Sequence, residues 1–205
     1  MRHATTAAAL AAPLVVLGYL VTSYAYCEVK RRQREGGDRR LPSATIVSIA
    51  ALLTTTISYY AIDAVAPRAT TSAIAVFAPQ ALLAWESVAL WTGVAAVLGH
   101  TSPVWNGFRG GSGLPAAAIV AFVYLPVVLI AGAAGWFTGM LFSKKPRAPL
   151  YSALAAAVSV AWLSWITTWS DAWGVVLGPE STVVTVVAAG IIVARNQADS
   201  ARQLV

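Results

Sequence analysis

Gly99-His100-Thr101-Ser102-Pro103-Val104-Trp105-Asn106-Gly107-Phe108-Arg109-Gly110-Gly111-Ser112-Gly113 breaks a chain that is apolar for long stretches on both sides. The stretch holds one His, one Asn, one Arg and five glycines, and the flanking runs read as the membrane scaffold that carries it. Gly110, Gly111 and Gly113 lack Cβ atoms, so successive backbone N–H groups can converge on one point and form a concave anion site. Arg109, fork-shaped and permanently charged, supplies the countercharge a phosphate needs. The same residues also suit an interhelical turn whose Arg marks the cytoplasmic side.

Of 205 residues, 58% are hydrophobic and 11% charged, against roughly 25% charged in soluble domains. The charges gather in short clusters between long apolar runs, the pattern of helical spans joined by loops rather than of a membrane barrel. Net charge is +6, which raises nucleic acid as a partner, but the distribution excludes it. Of the 14 Lys and Arg, six are Lys30, Arg31, Arg32, Arg34, Arg39 and Arg40, and three are Lys144, Lys145 and Arg147, as the positive-inside bias requires of cytoplasmic loops. Cys27 is the single cysteine, so an internal disulfide and a cysteine metal cluster are excluded. His3 and His100 are too few for a His-rich metal site.

The expected fold is therefore all-α and integral to the membrane: one domain over 1–205 with about seven transmembrane or half-transmembrane helices, N-terminus outside and C-terminus cytoplasmic. Residues 4–26 form the first span, with Tyr24 and Tyr26 as interfacial anchors and a basic cluster where a signal cleavage site would need small residues. Spans are expected at 46–66 and 73–98, with an outer turn near Pro67 and Arg68. The run 114–142 contains Pro115 and Pro126. Reading it as two short spans broken near Pro126 keeps the following Lys144, Lys145 and Arg147 inside, and Gly132, Gly135 and Gly139 permit the close contacts such short helices need. Spans at 150–168 and 182–194 complete the bundle, with an acidic, aromatic outer loop of Trp169, Asp171, Trp173 and Glu180 between them. Loops near 27–42, 99–113, 143–149 and 195–205 then share the cytoplasmic face. Asp63 reads either as an intramembrane carboxylate, a functional candidate by default, or as part of the outer turn.

The 99–113 stretch resembles, without gaps, the signature of the bacterial integral-membrane glycerol-3-phosphate acyltransferases that use acyl-phosphate donors, the PlsY family. There Gly-His, a Pro three on, then Phe-Lys-Gly-Gly-Lys-Gly recur; here Gly99, His100, Pro103, Phe108, Gly110, Gly111 and Gly113 match. Arg109 stands for the first Lys and Ser112 replaces the second. The family also carries Gly-Ser-Gly-Asn-x-Gly-Ala-Thr-Asn in its first loop, of which Pro42-Ser43-Ala44-Thr45 resembles the tail. The family's catalytic Ser falls on Arg39, followed by Arg40. Leu150-Tyr151-Ser152-Ala153-Leu154-Ala155 resembles a further Ser-containing segment, which makes Ser152 an active-site hydroxyl or else a helix-start cap or packing residue. Near the end, Arg202 matches, while Asn196 and Asp199 stand where the family has His and Asn.

The resemblance implies transfer of a fatty acyl group from acyl-phosphate to glycerol 3-phosphate, giving lysophosphatidic acid for phospholipid synthesis at a bacterial plasma membrane, with no metal or organic cofactor. Arg109, Gly110, Gly111, Ser112 and Gly113 would hold phosphate. His100 orients a substrate, moves a proton, or fixes the loop by a helix-end hydrogen bond. Asn106, Asp63, Arg39 and Arg40 are further candidates. Membrane lipids are the remaining partners, and oligomeric state is not readable. The altered first motif and Ser112 also fit a non-catalytic relative that binds lipid or a membrane partner.

Overall fold

The structure, a computed structural model, describes residues 2–35, 43–65, 84–167 and 179–203. Among these it forms seven helices: α1 (Arg2–Arg34), α2 (Ser43–Val65), α3 (Ala84–Thr101), α4 (Leu114–Tyr124), α5 (Pro126–Phe142), α6 (Ala148–Thr167) and α7 (Pro179–Gln203). α1, α2, α6 and α7 are long and apolar enough to cross a membrane, and α4 and α5 are shorter apolar helices. A bilayer core offers no water to backbone groups, so each segment closes its hydrogen bonds within a helix. Leu53, Phe122, Phe137 and Trp162 are exposed, forming an apolar belt that lipid covers without the cost water would impose.

The basic cluster after residue 26 is helical through Arg34 rather than a loop from 27 onward. Its residues are good helix formers, and Glu28 pairs with Arg31 at 2.9 Å and Arg32 at 2.7 Å along the same helix face. The C-terminal segment from 195 is likewise helical, as the end of α7. α2 begins at Ser43, earlier than the expected 46, so Asp63 falls in its last turn and not in an outer turn. The rest of the expected outer turns lies outside the described residues, apart from Glu180. That carboxylate is not an exposed loop residue: it sits buried in the first turn of α7. The Ser87 hydroxyl and Trp91 Nε1, the latter at 2.9 Å, donate to it from α3, where a helix N-terminus favours negative charge.

α1 and α3 run parallel in close contact, Gly18 against Thr92 and Gly99 against Thr22. α2 opposes them: Ile62 packs with Val88 near one end, and Ser48 donates to Pro115 O at 3.1 Å near the other. The run 114–142 is broken where Pro126 was expected to break it, with Leu125 outside helical geometry at φ −137°, ψ 54°. Eleven residues of α4 span about 16 Å, half of a ~30 Å hydrocarbon core, before α5 turns back. Gly135 and Gly139 of α5 touch Ser152 and Pro149 of α6, so α5 and α6 form an antiparallel pair held by glycine contacts. Because Asn196 Nδ2 reaches Tyr151 Oη at 3.2 Å and Arg195 reaches the glycine loop, the basic turn before α6 lies at the loop end of the bundle. The core between the helices centres on Leu90, Val94, Leu125, Val128, Ala161 and Val184, with a second cluster including Tyr26, Val47, Val97 and Ile192 nearer the loop.

Candidate active site

The loop after α3 is bound to its surroundings at each stage. Tyr19 Oη donates to Ser102 O at 2.8 Å, and the Val104 N–H donates to Ser23 Oγ at 3.1 Å, which pins the loop's start to α1. The chain reverses at Gly107 and Phe108, both in the left-handed region at φ 59° and 60°. That conformation is disfavoured for Phe, and the surrounding bonds hold it: Phe108 N–H donates to Pro103 O at 3.0 Å, and the Asn106 side-chain amide donates to Arg109 O. Asn106 therefore shapes the turn. Val104, Trp105, Phe108 and Tyr24 are all exposed, and Tyr24 meets Trp105 edge-to-face at 6.1 Å, an aromatic pair suited to a membrane–water interface.

After the turn the chain folds back on the end of α3. Gly110 N–H donates to Thr101 O at 3.2 Å and Gly111 N–H to His100 O at 2.8 Å. These two donors satisfy carbonyls that a helix C-terminus leaves unpaired, so they are not directed at a shared anion as the glycine spacing suggested. Gly111 passes so near the His100 ring that a Cβ would overlap Nε2. Gly113, at φ 80°, caps the start of α4, a conformation open to glycine at little cost.

His100 is 4% exposed, and among the described residues its Nδ1 finds no hydrogen-bond partner. Its ring lies 5.2 Å from that of Tyr26. Around it is a pocket of about 210 Å³ lined by Tyr26, Lys30, Ser43, His100, Gly111 and Ser112, with Ala44 and Pro115. The first turns of α2 and α4 both reach this pocket, so two positive helix ends join the Lys30 ammonium. Hydroxyls of Ser43 and Ser112 add donors of the kind that hold a phosphate. On the other side of α4, an apolar cavity of about 280 Å³ runs among α3 to α7, lined by Val97, Leu114, Ala117, Trp136, Ala157 and Ile192 among others. Ser112, Gly111 and Pro115 border the polar pocket and Leu114 borders the apolar one, so the first turn of α4 separates the two.

The structure thus gathers His100, Gly111 and Ser112 in one pocket, with Gly110 and Gly113 as the loop's supports. Arg109 is exposed at the loop tip and does not line the pocket. Ser152 is apart from it, in the seam between α5 and α6: its oxygen lies 2.7 Å from Gly135 O, 2.8 Å from Ala148 O and 3.1 Å from Pro149 O. Asp63 is near the opposite end of α2. Arg39 and Arg40 lie outside the described residues. Sequence reasoning left out Lys30, Tyr26 and Arg195. Lys30 is one of six basic residues between positions 30 and 40, and Tyr26 reads from the sequence as an interfacial anchor. Arg195 alone carried a signal, an Arg joined directly to an apolar helical run.

A model of the family described as glycerol-3-phosphate acyltransferase matches residues 8–204. A glycerol-3-phosphate acyltransferase of Agrobacterium fabrum (strain C58) is 29% identical over 91% of this chain and 84% of its own. Another, of Methylorubrum extorquens (strain PA1), is 41% identical over 39% of this chain and 38% of its own. Among solved structures, the integral membrane glycerol 3-phosphate acyltransferase PlsY in its lysophosphatidic acid form superposes with a TM-score of 0.59 at 20% identity, over 95% of this chain and 91% of that one. Its glycerol 3-phosphate form gives the same TM-score and identity, over 95% and 92%. At that identity the likeness is one of fold, and it extends over nearly the whole helical bundle.

Proposed function

The chain belongs to the glycerol-3-phosphate acyltransferase family and is a multi-pass membrane acyltransferase, and from that premise we propose that it transfers a fatty acyl group from acyl-phosphate to the sn-1 hydroxyl of glycerol 3-phosphate. The products are lysophosphatidic acid and inorganic phosphate. The observation that carries this reading is the pairing of a cationic, hydroxyl-lined pocket with an apolar cavity across one helix turn. A phosphorylated, water-soluble acceptor suits the first and a fatty chain the second.

In the step itself, the acceptor hydroxyl oxygen attacks the acyl carbonyl carbon, the bond from that carbon to the phosphate oxygen breaks, and phosphate leaves with the electron pair. The hydroxyl proton passes to the His100 imidazole or to the departing phosphate. Lys30, Ser43, Ser112 and the α4 N-terminus hold phosphate, while Gly110, Gly111 and Gly113 let the loop lie close against α3. Arg109, with Arg39 and Arg40, draws anions toward the face that bears the pocket. An acyl-phosphate is already activated, so orientation and charge stabilisation supply most of what the reaction needs, and neither metal nor organic cofactor enters the scheme. Ser152 acts in this scheme as a fastener of α5 to α6. The pocket opens to the cytoplasm of a bacterial plasma membrane, the side favoured by Lys30, Arg31, Arg32, Arg34, Lys144, Lys145 and Arg147 at the same end of the bundle.

The experiment is an assay of the purified protein with acyl-phosphate and glycerol 3-phosphate, following lysophosphatidic acid and released phosphate together. Equal formation of both supports the reading. No turnover of acyl-phosphate with any of several phosphorylated and unphosphorylated acceptors would overturn it.

A further inference from the structure

The glycine loop has a tether besides those to α1 and α3, and it comes from the far end of the chain. Arg195 of α7 donates from Nη2 to Gly110 O at 2.9 Å, and the same nitrogen lies 2.9 Å from Asp199 Oδ1, one turn on along the helix. The Arg195 side chain is 10% exposed, while that of Asp199 is 45% exposed. Among the described residues, the buried Arg195 Nε has no hydrogen-bond partner. A buried guanidinium with an unpaired N–H is a cost to stability, and an apolar side chain of similar length would fill the space without that cost. Its contact with one loop carbonyl therefore fits holding that carbonyl in place better than it fits packing.

We propose that Arg195 is a positioning residue for the acceptor-phosphate pocket: by fixing Gly110 it holds Gly111 against His100 and sets Ser112 at the pocket edge. The chain of contacts is short. Arg195 bonds Gly110 O, Gly110 and Gly111 bond back to Thr101 O and His100 O, and Gly111 and Ser112 line the pocket with His100. Gly113, directly after Ser112, also rests on Ile192, so α7 meets the loop at two levels, one charged and one apolar. Asp199 is the counterion that keeps the guanidinium's charge compensated while its fork reaches the loop.

The functional half of this inference rests on the acyltransferase reading, so the test has an arm that does not. Arg195→Met removes the donor and the charge but keeps length and apolar bulk. In wild-type protein, amide exchange of the 107–113 segment reports how firmly the loop sits. Arg195→Met is expected to speed exchange of Gly110 and Gly111 about tenfold, the scale of losing one hydrogen bond from a charged donor, with exchange in α1 and α3 unchanged. In turnover, the KM for glycerol 3-phosphate rises about tenfold while kcat changes less than about threefold, a loss of binding geometry and not of folded enzyme. Arg195→Lys, which keeps the charge on a single-point donor, should restore part of both. If Arg195→Met does not fold, Arg195→Lys is read on the same two scales and must show the smaller loosening. Folded variants with wild-type exchange and wild-type KM would overturn the proposal. Faster exchange in a protein that turns over nothing even as wild type would instead leave the positioning role standing and remove the acyltransferase reading.

Discussion

Gly111 passes against the imidazole of His100, so close that a methyl group on residue 111 would overlap Nε2. His100 is buried between this loop and Tyr26, and the Gly111 N–H is already committed to the His100 carbonyl. The ring therefore has little room to yield.

Gly111→Ala forces either the imidazole or the loop to shift. Overpacking of this kind typically costs about 1–3 kcal/mol of stability, which the bundle tolerates, but in the proposed mechanism a displaced His100 loses its alignment with substrate. Turnover should fall by about a hundredfold, the scale of losing one positioned catalytic contact, while the melting temperature drops by only a few degrees. Initial rates and thermal unfolding of the same preparation check this. Early melting with normal turnover per folded molecule would mean that the glycine serves packing alone.

Lys30 lines the pocket from α1 and stands 5.9 Å from the Tyr26 ring centroid. Replacing its ammonium by a neutral amide removes a charge from the proposed phosphate subsite and leaves most of the stem. Lys30→Gln should raise the KM for glycerol 3-phosphate about tenfold or more, with a smaller effect for an uncharged acceptor such as glycerol. An equal effect on both acceptors would place Lys30 outside phosphate recognition.

The sequence carried much of the fold because apolar run length and charge placement are governed by the bilayer, which acts on every residue of a span. The break at Leu125 was legible for that reason: Pro126 cannot continue the preceding hydrogen-bond ladder, and a basic cluster beyond it had to return to the side of the others. The helical extension through Arg34 was not, since i,i+4 ion pairs around Glu28 favour helix in a segment that hydropathy reads as loop. The site was legible where the chain is local, in His100 and the glycines. It was hidden where helices distant in sequence converge: Lys30 and Ser43 border the pocket from α1 and α2 and Arg195 reaches the loop from α7, and although a motif tail around Ser43 and an Arg joined to an apolar run at 195 stand out locally, nothing local says that they meet. The glycines also misled in one respect. Missing side chains suit approach to an anion and approach to a helix end equally, and the backbone of Gly110 and Gly111 takes the second.

Ser152 tests that distinction between local resemblance and actual placement. Its hydroxyl has one hydrogen and three carbonyl oxygens within reach, on Gly135, Ala148 and Pro149. Ser152→Ala should leave turnover and KM within about threefold of wild type and lower stability by about 1 kcal/mol, as expected for one hydrogen bond lost without a cavity. A roughly hundredfold loss of turnover at unchanged stability, the scale of a missing catalytic contact, would show that the hydroxyl takes part in the chemistry after all.

The proposed opening of the pocket to the cytoplasm depends on one turn of chain. If α4 and α5 formed a single continuous span, residues 143–147 would emerge opposite the glycine loop. In the structure α5 turns back, and Asn196 of α7 reaches Tyr151 just beyond that turn, while its neighbour Arg195 holds Gly110. Lys144, Lys145 and Arg147 therefore share an end with Lys30, Arg31, Arg32 and Arg34, the end that the proposed orientation turns to the cytoplasm on the strength of the positive-inside bias. A reporter that is active only in the cytoplasm, fused after Lys145, should be active, as should one placed after Glu35. One placed ahead of α1 should be silent. Activity at Glu35 with silence at Lys145 would contradict the return of α5, since both sites lie at one end of the bundle. Silence at both, with activity ahead of α1, would keep the fold and turn the pocket to the outside, where acyl-phosphate made inside the cell could not reach it.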